Sequence, residues 1–351
     1  MSRMSRPARV LLPINAVLLA LSGSAIAHGR ATETAGGTSP VATALAPTPA
    51  SAPPGTRLVI LGTIAGPVAE SDRHEPANLI EVGGRKYLID AGEGVAQRLD
   101  AAGVGAAEVR KIFLTHLHFD HVAGLAPLLG FAWIKRAGGE IDIYGPPATD
   151  IFVKSALQYL EIPQGIYAAG MPPTAPLAEI VKAHNIDVSR PTVIYQDDKV
   201  RVTAVDNTHY VTIPAARRPL GGARSYAYRF DTADRSIVFT GDTGPSDAVT
   251  ELAKGADILV SEVQDTPAVL AALAKAFNAP EAALKPVADH MTQEHLSPRE
   301  VGLMAKRAGV KMVVLTHIGG ANQRKDMRGI TAGVREVFSG PVIAAQDGDE
   351  F

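Results

Sequence analysis

The stretch RKIFLTHLHFDHVAG, residues 110–124, decides the fold of this chain. It opens with an apolar run typical of a buried strand and closes where a helical pattern begins. His116 and His118 lie two positions apart, so an extended backbone projects both side chains to the same side. Asp120 and His121 follow where the chain turns into the helix. Four ligand-type residues this close together indicate a site for two divalent metal ions, and the ligand set favours zinc.

Three further residues of metal-binding type each follow a predicted strand closely. They are His209 after the strand 200–205, Asp242 after the strand 236–240 and His317 after the strand 311–315. Ligand and catalytic groups gather on loops that a rigid sheet positions. We therefore expect these three residues to complete one site with the cluster at 116–121.

The pattern along the chain predicts the fold class. From residue 57 onward short β-rich runs alternate with helical stretches, and several strands are continuous runs of Val, Ile and Leu. Such runs are typical of strands buried on both faces. The sequence therefore predicts an α/β fold with enough strands for two packed sheets. Helices are predicted over 149–160 and from Pro298, with Ser297 as the N-cap, but none over 278–294.

The composition limits the chemistry. The chain has 351 residues, no Cys, and a net charge of −2 from 34 basic and 36 acidic residues. The absence of Cys excludes disulfides, thiolate metal sites, Fe–S clusters and a Cys nucleophile. Any metal site must therefore use His and carboxylates. The slightly negative charge gives no basic surface for sequence-independent binding of nucleic acid.

Residues 1–27 have the pattern of an export signal. Arg3, Arg6 and Arg9 precede the apolar run 10–21, and small residues in an A-x-A arrangement follow it. The apolar run is shorter than the roughly 20 residues of a membrane-spanning helix. The pattern predicts a cleaved signal peptide, a periplasmic or secreted protein and no stable membrane anchor.

A composition shift marks the next boundary. Residues 28–55 are almost entirely Ala, Thr, Pro, Ser and Gly, too little apolar surface for a packed core, so they are expected to form a disordered linker. The folded domain is predicted to occupy residues 56–351.

The H-x-H-x-D-H motif at 116–121, followed in order by a His, an Asp and a His, resembles the metallo-β-lactamase superfamily. The resemblance covers essentially all of 57–351 and implies a four-layer αββα sandwich with the site at one edge. It implies one metal on His116, His118 and His209, a second on Asp120, His121 and His317, and Asp242 bridging the two. Asp90 matches the first motif of the family and would support the ligands from behind; a turn-capping Asp is the alternative.

Two stretches resemble one branch of that superfamily, the ribonuclease Z and arylsulfatase branch. They are residues 239–262 and the segment His295-Leu296-Ser297. The third motif, 206–210, lacks the P-G-H-[ST] form usual in lactonases, glyoxalases and β-lactamases. The resemblance gives His295 the role of transition-state stabiliser or general acid, and Glu262 the role of orienting it. His290 fits the same short motif at a less suitable spacing, so it remains an alternative to His295.

One departure bears on the substrate. Ribonuclease Z carries a long arm that grips tRNA, and the corresponding span here, 210–241, is too short to hold one. Together with the charge and the export signal, this predicts a small-molecule ester substrate and no nucleic-acid partner. The segments 151–184 and 266–290 are expected to form flaps over the site. Arg217, Arg218 and Arg224 could supply a cation to an anionic substrate, or belong to a solvated loop.

The sequence thus predicts an exported hydrolase that uses a hydroxide bridging two divalent metals, with Asp120, His295 and Glu262 in catalysis. The leading substrate class is a phosphodiester or a sulfate ester. A lactonase or β-lactamase type of hydrolase is the alternative, and a metal-holding protein without turnover is a third reading. The sequence does not predict an oligomeric state.

Overall fold

The structure is a computed structural model that describes residues 55–67, 70–135, 138–170, 174–219, 223–320 and 327–351. The predicted signal peptide at 1–27 and the predicted linker, apart from Gly55, lie outside the described residues. The predicted domain boundary at residue 56 stays a prediction.

The first sheet carries six strands in chain order. Its first three strands are antiparallel, and its last three are parallel to the third. The strands are β1 (Arg57–Gly62), β2 (Ala77–Val82), β3 (Arg85–Ile89), β4 (Val109–Phe113), β5 (Ile141–Gly145) and β6 (Val181–Asn185).

The second sheet carries seven strands, also in chain order. It repeats the change from antiparallel to parallel pairing, here at its fourth strand. The strands are β7 (Thr192–Gln196), β8 (Arg201–Asp206), β9 (Tyr226–Asp231), β10 (Ser236–Phe239), β11 (Ile258–Gln264), β12 (Met312–Gly319) and β13 (Val342–Ala344).

Helices connect the parallel strands and cover the outer faces of both sheets. They are α1 (Val95–Ala101), α2 (Phe119–Val122), α3 (Leu125–Ile134), α4 (Thr149–Ala169), α5 (Leu177–Ile180), α6 (Asp247–Leu252), α7 (Thr266–Phe277), α8 (Glu281–Glu294), α9 (Pro298–Ala308) and α10 (Arg328–Arg335).

Both faces of the central strands are apolar, which explains the four layers. In β1, Leu58 and Ile60 pack between the two sheets, in the cluster that also holds Phe230. The alternate residues Val59 and Leu61 pack in a second cluster with the helices on the outer face of the first sheet. A third cluster joins the second sheet to its own helices. Because side chains alternate across a strand, a strand with two apolar faces belongs in the middle of such a sandwich. The predicted αββα fold is confirmed.

Several elements differ from the sequence prediction. Helix α4 continues to Ala169 through Pro163, whereas the prediction ended at residue 160. Strand β6 and helix α8 were not predicted: β6 is a short strand at the edge of its sheet, and Pro286 interrupts the helical pattern of α8. The start of α9 is confirmed, because Ser297 and Glu300 form a reciprocal capping pair with Pro298 in the first turn.

No helix in the described part of the chain combines the length and apolar character that a membrane span requires.

Candidate metal centre

The segment between β4 and α3 carries four of the predicted ligands across the seam between the sheets. The carbonyl oxygen of Thr115 accepts a hydrogen bond from the backbone N–H of Tyr226, at the start of β9 in the other sheet. His116 follows at once and is fully buried, and the rings of His116 and His118 lie 4.7 Å apart. Thr115 and Tyr226, which are far apart along the chain, are therefore fixed side by side.

The imidazoles of His116, His118 and His209 form one group, whose candidate ligand atoms all lie within 4.8 Å of one another. Nδ1 of His118 and Nε2 of His209 are 3.0 Å apart. Burial holds the pKa of His116 and His209 well below its ordinary value, and it lowers the pKa of His118 to about 4. Neutral imidazoles are the form that binds metal, so this group has the chemistry of a zinc site.

A second group consists of Asp120, His121 and His317. Nε2 of His317 lies 3.4 Å from Oδ2 of Asp120, and Nε2 of His121 lies 3.7 Å from the same oxygen. The backbone N–H of Gly66 donates a 3.1 Å hydrogen bond to that carboxylate. His317 has a φ of 42°, a left-handed conformation that costs free energy in a non-glycine residue and is typical of functional sites.

Asp242 lies between the two groups. Its Oδ2 is 3.9 Å from Nε2 of His116 and 3.8 Å from Nε2 of His209, which belong to the first group. Its carboxylate also lies 3.3 Å from Nε2 of His121 and 3.2 Å from Nε2 of His317, which belong to the second. Burial opposes ionisation, but His317 and His121 hold the pKa of Asp242 well below its usual range.

Three buried polar atoms of this cluster have no hydrogen-bond partner: Nε2 of His116, Nε2 of His121 and Oδ1 of Asp242. Orphaned buried polar atoms are costly and therefore rare. Cations between these lone pairs would satisfy all three atoms. The donor set, made only of imidazoles and carboxylates, fits two divalent ions, with zinc as the typical choice.

Asp90 supports the cluster from behind. Its Oδ1 accepts a 2.7 Å hydrogen bond from the backbone N–H of Thr115, and its Oδ2 lies 2.9 Å from Nδ1 of His121. Burial lowers the pKa of His121, but the charges of Asp242, Asp90 and Asp120 outweigh burial and raise it. A carboxylate on Nδ1 of a His orients Nε2 toward a metal.

The predicted pair His295 and Glu262 is formed beside this cluster. Nδ1 of His295 lies 2.8 Å from Oε2 of Glu262, and the other carboxylate oxygen accepts a 2.6 Å hydrogen bond from the backbone N–H of Thr243. Burial and the nearby charge of Asp242 raise the pKa of Glu262, whereas burial lowers the pKa of His295. A ring nitrogen of His295 lies within 4.8 Å of ligand atoms of His209 and Asp242.

An open cavity of about 530 Å³ gives access to the cluster. Its lining includes Val269, His290 and Met291 of α7 and α8, together with the cluster residues His118, Asp120, His209, Asp242, His295 and His317. Phe119 is 68% exposed at its mouth. The predicted flap at 266–290 is therefore present, but no described residue of 151–184 lines the cavity. Helix α4 packs instead on α3 and β6.

Two of the three arginines in the 213–224 loop, Arg218 and Arg224, contact other residues of the protein. Arg218 donates to the carbonyl oxygens of Ile213 and Tyr210, and Arg224 pairs with the carboxylates of Asp187 and Asp206. None of the three arginines is among the residues that line the cavity. The structure therefore favours a structural role for these arginines over binding of an anionic substrate.

Sequence reasoning missed Glu294 entirely and left His290 only as an alternative. Glu294 ends α8, and its carbonyl oxygen lies 3.1 Å from Nδ1 of His209. Its side chain lies 2.5 Å from Nδ1 of His290. The two residues are four apart, a spacing that brings side chains together on a helix. That spacing was a usable signal, but α8 itself was not predicted.

Known proteins resemble this chain in sequence and in fold. The model of the Beta-lactamase superfamily domain matches residues 85–318. A ribonuclease Z of Mycobacterium bovis (strain BCG / Pasteur 1173P2) is 31% identical over 299 residues, which cover 83% of this chain and 95% of the relative. A ribonuclease Z of Mycobacterium avium (strain 104) is 32% identical over 300 residues, with the same two coverages.

Solved structures share the fold. Human tRNase Z, short form, superposes with a TM-score of 0.58 at 21% identity, over 84% of this chain and 98% of its own. The metallo-β-lactamase fold protein YhfI from Bacillus subtilis gives a TM-score of 0.59 at 20% identity, over 84% of this chain and 98% of its own.

The relatives correct one prediction. They are named as ribonucleases, so the expectation of a small-molecule ester substrate with no nucleic-acid partner is wrong. The expectation relied on the net charge of −2, on the short span 210–241 and on the export-signal pattern of residues 1–27. A chain-wide charge says little about the local field at a site, where bound divalent cations are the largest charges. Phosphate can be attracted there without an arm or a basic surface.

Proposed function

Because this chain belongs to the metallo-β-lactamase superfamily, in its ribonuclease Z branch, we propose that it hydrolyses phosphodiester bonds in RNA. It is a metal-dependent hydrolase of that fold. The observation that supports RNA phosphodiesterase activity best is the position of Asp242 between two His-containing groups, beside His295, which Glu262 holds and which lines the same cavity. This arrangement suits in-line displacement at phosphorus, where most of the rate enhancement comes from positioning the reactants and stabilising charge.

We propose that His116, His118 and His209 hold one divalent cation, that Asp120, His121 and His317 hold the second, and that Asp242 contacts both. When bound, such cations stabilise the charge of the phosphoryl group and lower the pKa of water. Asp120 is held in place by the N–H of Gly66, and Asp242 remains ionised among its imidazoles.

His295 is the proposed acid. Glu262 fixes its Nδ1, so that Nε2 can carry a proton to the departing oxygen. The N–H of Thr243 and the imidazole Nδ1 together hold both oxygens of Glu262. The leaving group of RNA is a poor one, so protonation at this point is expected to matter more for RNA than for activated aryl esters.

A substrate panel tests the proposal. The metal-loaded protein would be assayed on a tRNA transcript, bis(p-nitrophenyl) phosphate, p-nitrophenyl sulfate, a lactone and a chromogenic β-lactam, with metal counted in the same sample. We expect metal-dependent cleavage of the RNA and of the phosphodiester, with much slower turnover of the other three. A preference for the lactone or the β-lactam would refute the phosphodiesterase, and a preference for the sulfate would move the activity to sulfate esters.

We also propose that the protein is exported, on the pattern of residues 1–27 alone. Expression of the full chain in a Gram-negative host, followed by fractionation and N-terminal sequencing, tests this. Cleavage after the A-x-A segment and recovery in the periplasm are expected. An uncleaved chain in the cytoplasm would contradict it.

A further inference from the structure

A second His–Glu pair lies on α8, and its His290 lines the cavity. Nδ1 of His290 lies 2.5 Å from Oε2 of Glu294. The other carboxylate oxygen of Glu294 accepts hydrogen bonds of 2.6 Å from both the backbone N–H and the hydroxyl of Thr212. The Glu294 side chain is fully buried, whereas that of His290 is 27% exposed. The carboxylate is thus an anchored base, and the imidazole is the part that reaches the cavity.

The position of His290 places it at the reacting groups without making it a ligand. Its ring centroid lies 5.2 Å from that of His295 and 6.1 Å from that of His209. Among the described residues, His290 belongs to none of the groups whose atoms converge closely enough to hold a metal. It lines the same cavity as Asp242 and His295. A ring in this place is free to contact a substrate.

A purely structural role explains the pair poorly. Helix-stabilising pairs four residues apart normally lie on a solvated face, as Lys285 and Asp289 do on the same helix. Glu294 is instead buried, and burial of a carboxylate is costly unless several donors satisfy it. Three donor groups do so here. That arrangement fixes both the position and the rotation of the His290 ring.

We propose that His290 donates a hydrogen bond from Nε2 to a non-bridging oxygen of the substrate phosphoryl group, with Glu294 as its positioning residue. This rests on the proposed phosphodiester hydrolysis. Nδ1 of His290 is held by Glu294, which leaves Nε2, the other ring nitrogen, to donate to the phosphoryl oxygen. The two pairs then divide the work: His295 protonates the leaving oxygen, and His290 holds the oxygens that stay on phosphorus.

The test separates these roles by the leaving group. Metal-loaded H290A, H290Q, E294Q and H295A would be assayed on the RNA and on aryl phosphodiesters of graded leaving-group acidity. We expect H290A to lower kcat/KM by about 10- to 100-fold, the range for losing a charge-assisted hydrogen bond, equally for good and poor leaving groups. H295A should instead lose most on the poorest leaving group. E294Q should lose less than H290A.

Two further readouts do not depend on turnover. Calorimetric titration with inorganic phosphate should give weaker binding to H290A than to wild type, and the metal content of the two should be equal. The matched control is D289N, which breaks the exposed pair on the same helix and should behave as wild type. H290Q keeps a donor of similar reach and should retain part of the activity that H290A loses. Should H290A fail to fold, H290L, which has no donor, takes its place in every comparison.

The outcomes are distinct. Wild-type kinetics and phosphate affinity in H290A, or a loss that follows leaving-group acidity, would overturn the role of His290. A wild-type protein inactive on every phosphodiester would refute the proposed function instead. In that case the phosphate titration still decides whether His290 binds a phosphoryl group.

Discussion

Asp242 is the residue on which both groups of metal-binding side chains converge. Its two oxygens lie 3.2 to 3.9 Å from the Nε2 atoms of four imidazoles. It is buried, and one oxygen lacks any hydrogen-bond partner. The Phe239–Asp242 segment leaves the end of β10, so the second sheet supplies the group that the two halves of the cluster share. Losing its charge should therefore affect both metal positions at once.

We expect D242N to lose metal and activity together. The amide has the same shape as the carboxylate, so folding is retained, but it provides no negative charge between two cations. Metal content after dialysis should fall clearly below that of wild type, and kcat/KM should fall by more than about 100-fold, beyond the range for supporting residues. The control is H184A, whose imidazole lies away from the cluster against Tyr144. A D242N protein with wild-type metal content would contradict the assignment.

The residues proposed as ligands, and Asp90 behind them, could be found from the sequence, but the contacts of Glu294 could not. The motif at 116–121 and the strand-end positions of His209, Asp242 and His317 follow from residue type and spacing, and the structure brings all of them together. The hydrogen bond from Thr212 to Glu294 joins residues 82 apart. Nothing local in either segment indicates it, because only the packing of α8 against the 207–212 segment creates the contact.

At the scale of elements, the end of α8 is held against the loop after β10, which carries Asp242 and Gly244. A Cβ on Gly244 would lie 1.8 Å from the carbonyl oxygen of Gln293. Only glycine allows this approach. The next carbonyl along, that of Glu294, bonds Nδ1 of His209 and so selects the tautomer that leaves Nε2 for metal. Close packing at Gly244 thus helps to orient His209, a proposed ligand, through the Glu294 carbonyl.

We expect G244A to destabilise the protein and weaken metal retention. The added methyl group must push α8 away, at a cost of about 1–3 kcal/mol in the free energy of unfolding. Urea denaturation and metal analysis measure the two effects. The matched control is G165A on α4, where a Cβ meets nothing within 4 Å, and which should stabilise by about 0.5–1 kcal/mol. Equal effects from the two substitutions would contradict the packing argument.

At the scale of the whole molecule, the cluster joins the two sheets. His116, His118, Asp120 and His121 follow β4 of the first sheet, while His209, Asp242 and His317 belong to the second sheet or follow its strands. A site shared by both sheets is expected once two packed sheets, with metal-binding residue types at their strand ends, are predicted. In the α7–α8 hairpin over the cavity, only α8 was missed as a helix, since Pro286 interrupts its helical pattern.

Removal of metal should therefore lower the thermal stability of the fold. Metal that binds only the folded state stabilises it by about 4 kcal/mol when free metal is about 1,000-fold above Kd. Scanning calorimetry with and without a chelator measures the shift, with a higher Tm expected for the metal-loaded protein. D242N should respond less than wild type. An unchanged Tm after complete chelation would mean that metal does not link the sheets.

A second link between the two sheets predicts how the stability of the fold decreases at acid pH. Asp197 follows β7 and bonds Arg85 and Tyr87 of the first sheet, as well as Tyr195. Burial opposes ionisation, but backbone and tyrosine hydrogen bonds hold the pKa of Asp197 below its ordinary 3.8. The folded-state pKa is depressed, so this stabilisation is present above about pH 4. It is lost as pH falls below that.

The variant D197N isolates this contribution. Urea denaturation between pH 6 and pH 3 should show wild type more stable by about 1–2 kcal/mol at the upper end. The difference should shrink below about pH 4, where the Asp197 carboxylate is protonated in the unfolded wild-type chain but still ionised in the folded protein. A constant difference across that pH range would mean that packing, not ionisation, accounts for the loss.

The α7–α8 hairpin has a small apolar core of its own, formed by Leu273, Leu284 and Val287 and separate from the three larger clusters. A small separate core gives a low free energy of local opening, so the hairpin should exchange its backbone amides before the sheets do. Opening would withdraw the Glu294 carbonyl from His209. By thermodynamic reciprocity, metal on His209 must then favour the closed hairpin. Bound metal would therefore keep the hairpin closed for more of the time. Slower deuterium uptake by α8 in the metal-loaded protein than in the metal-free protein would reveal this effect.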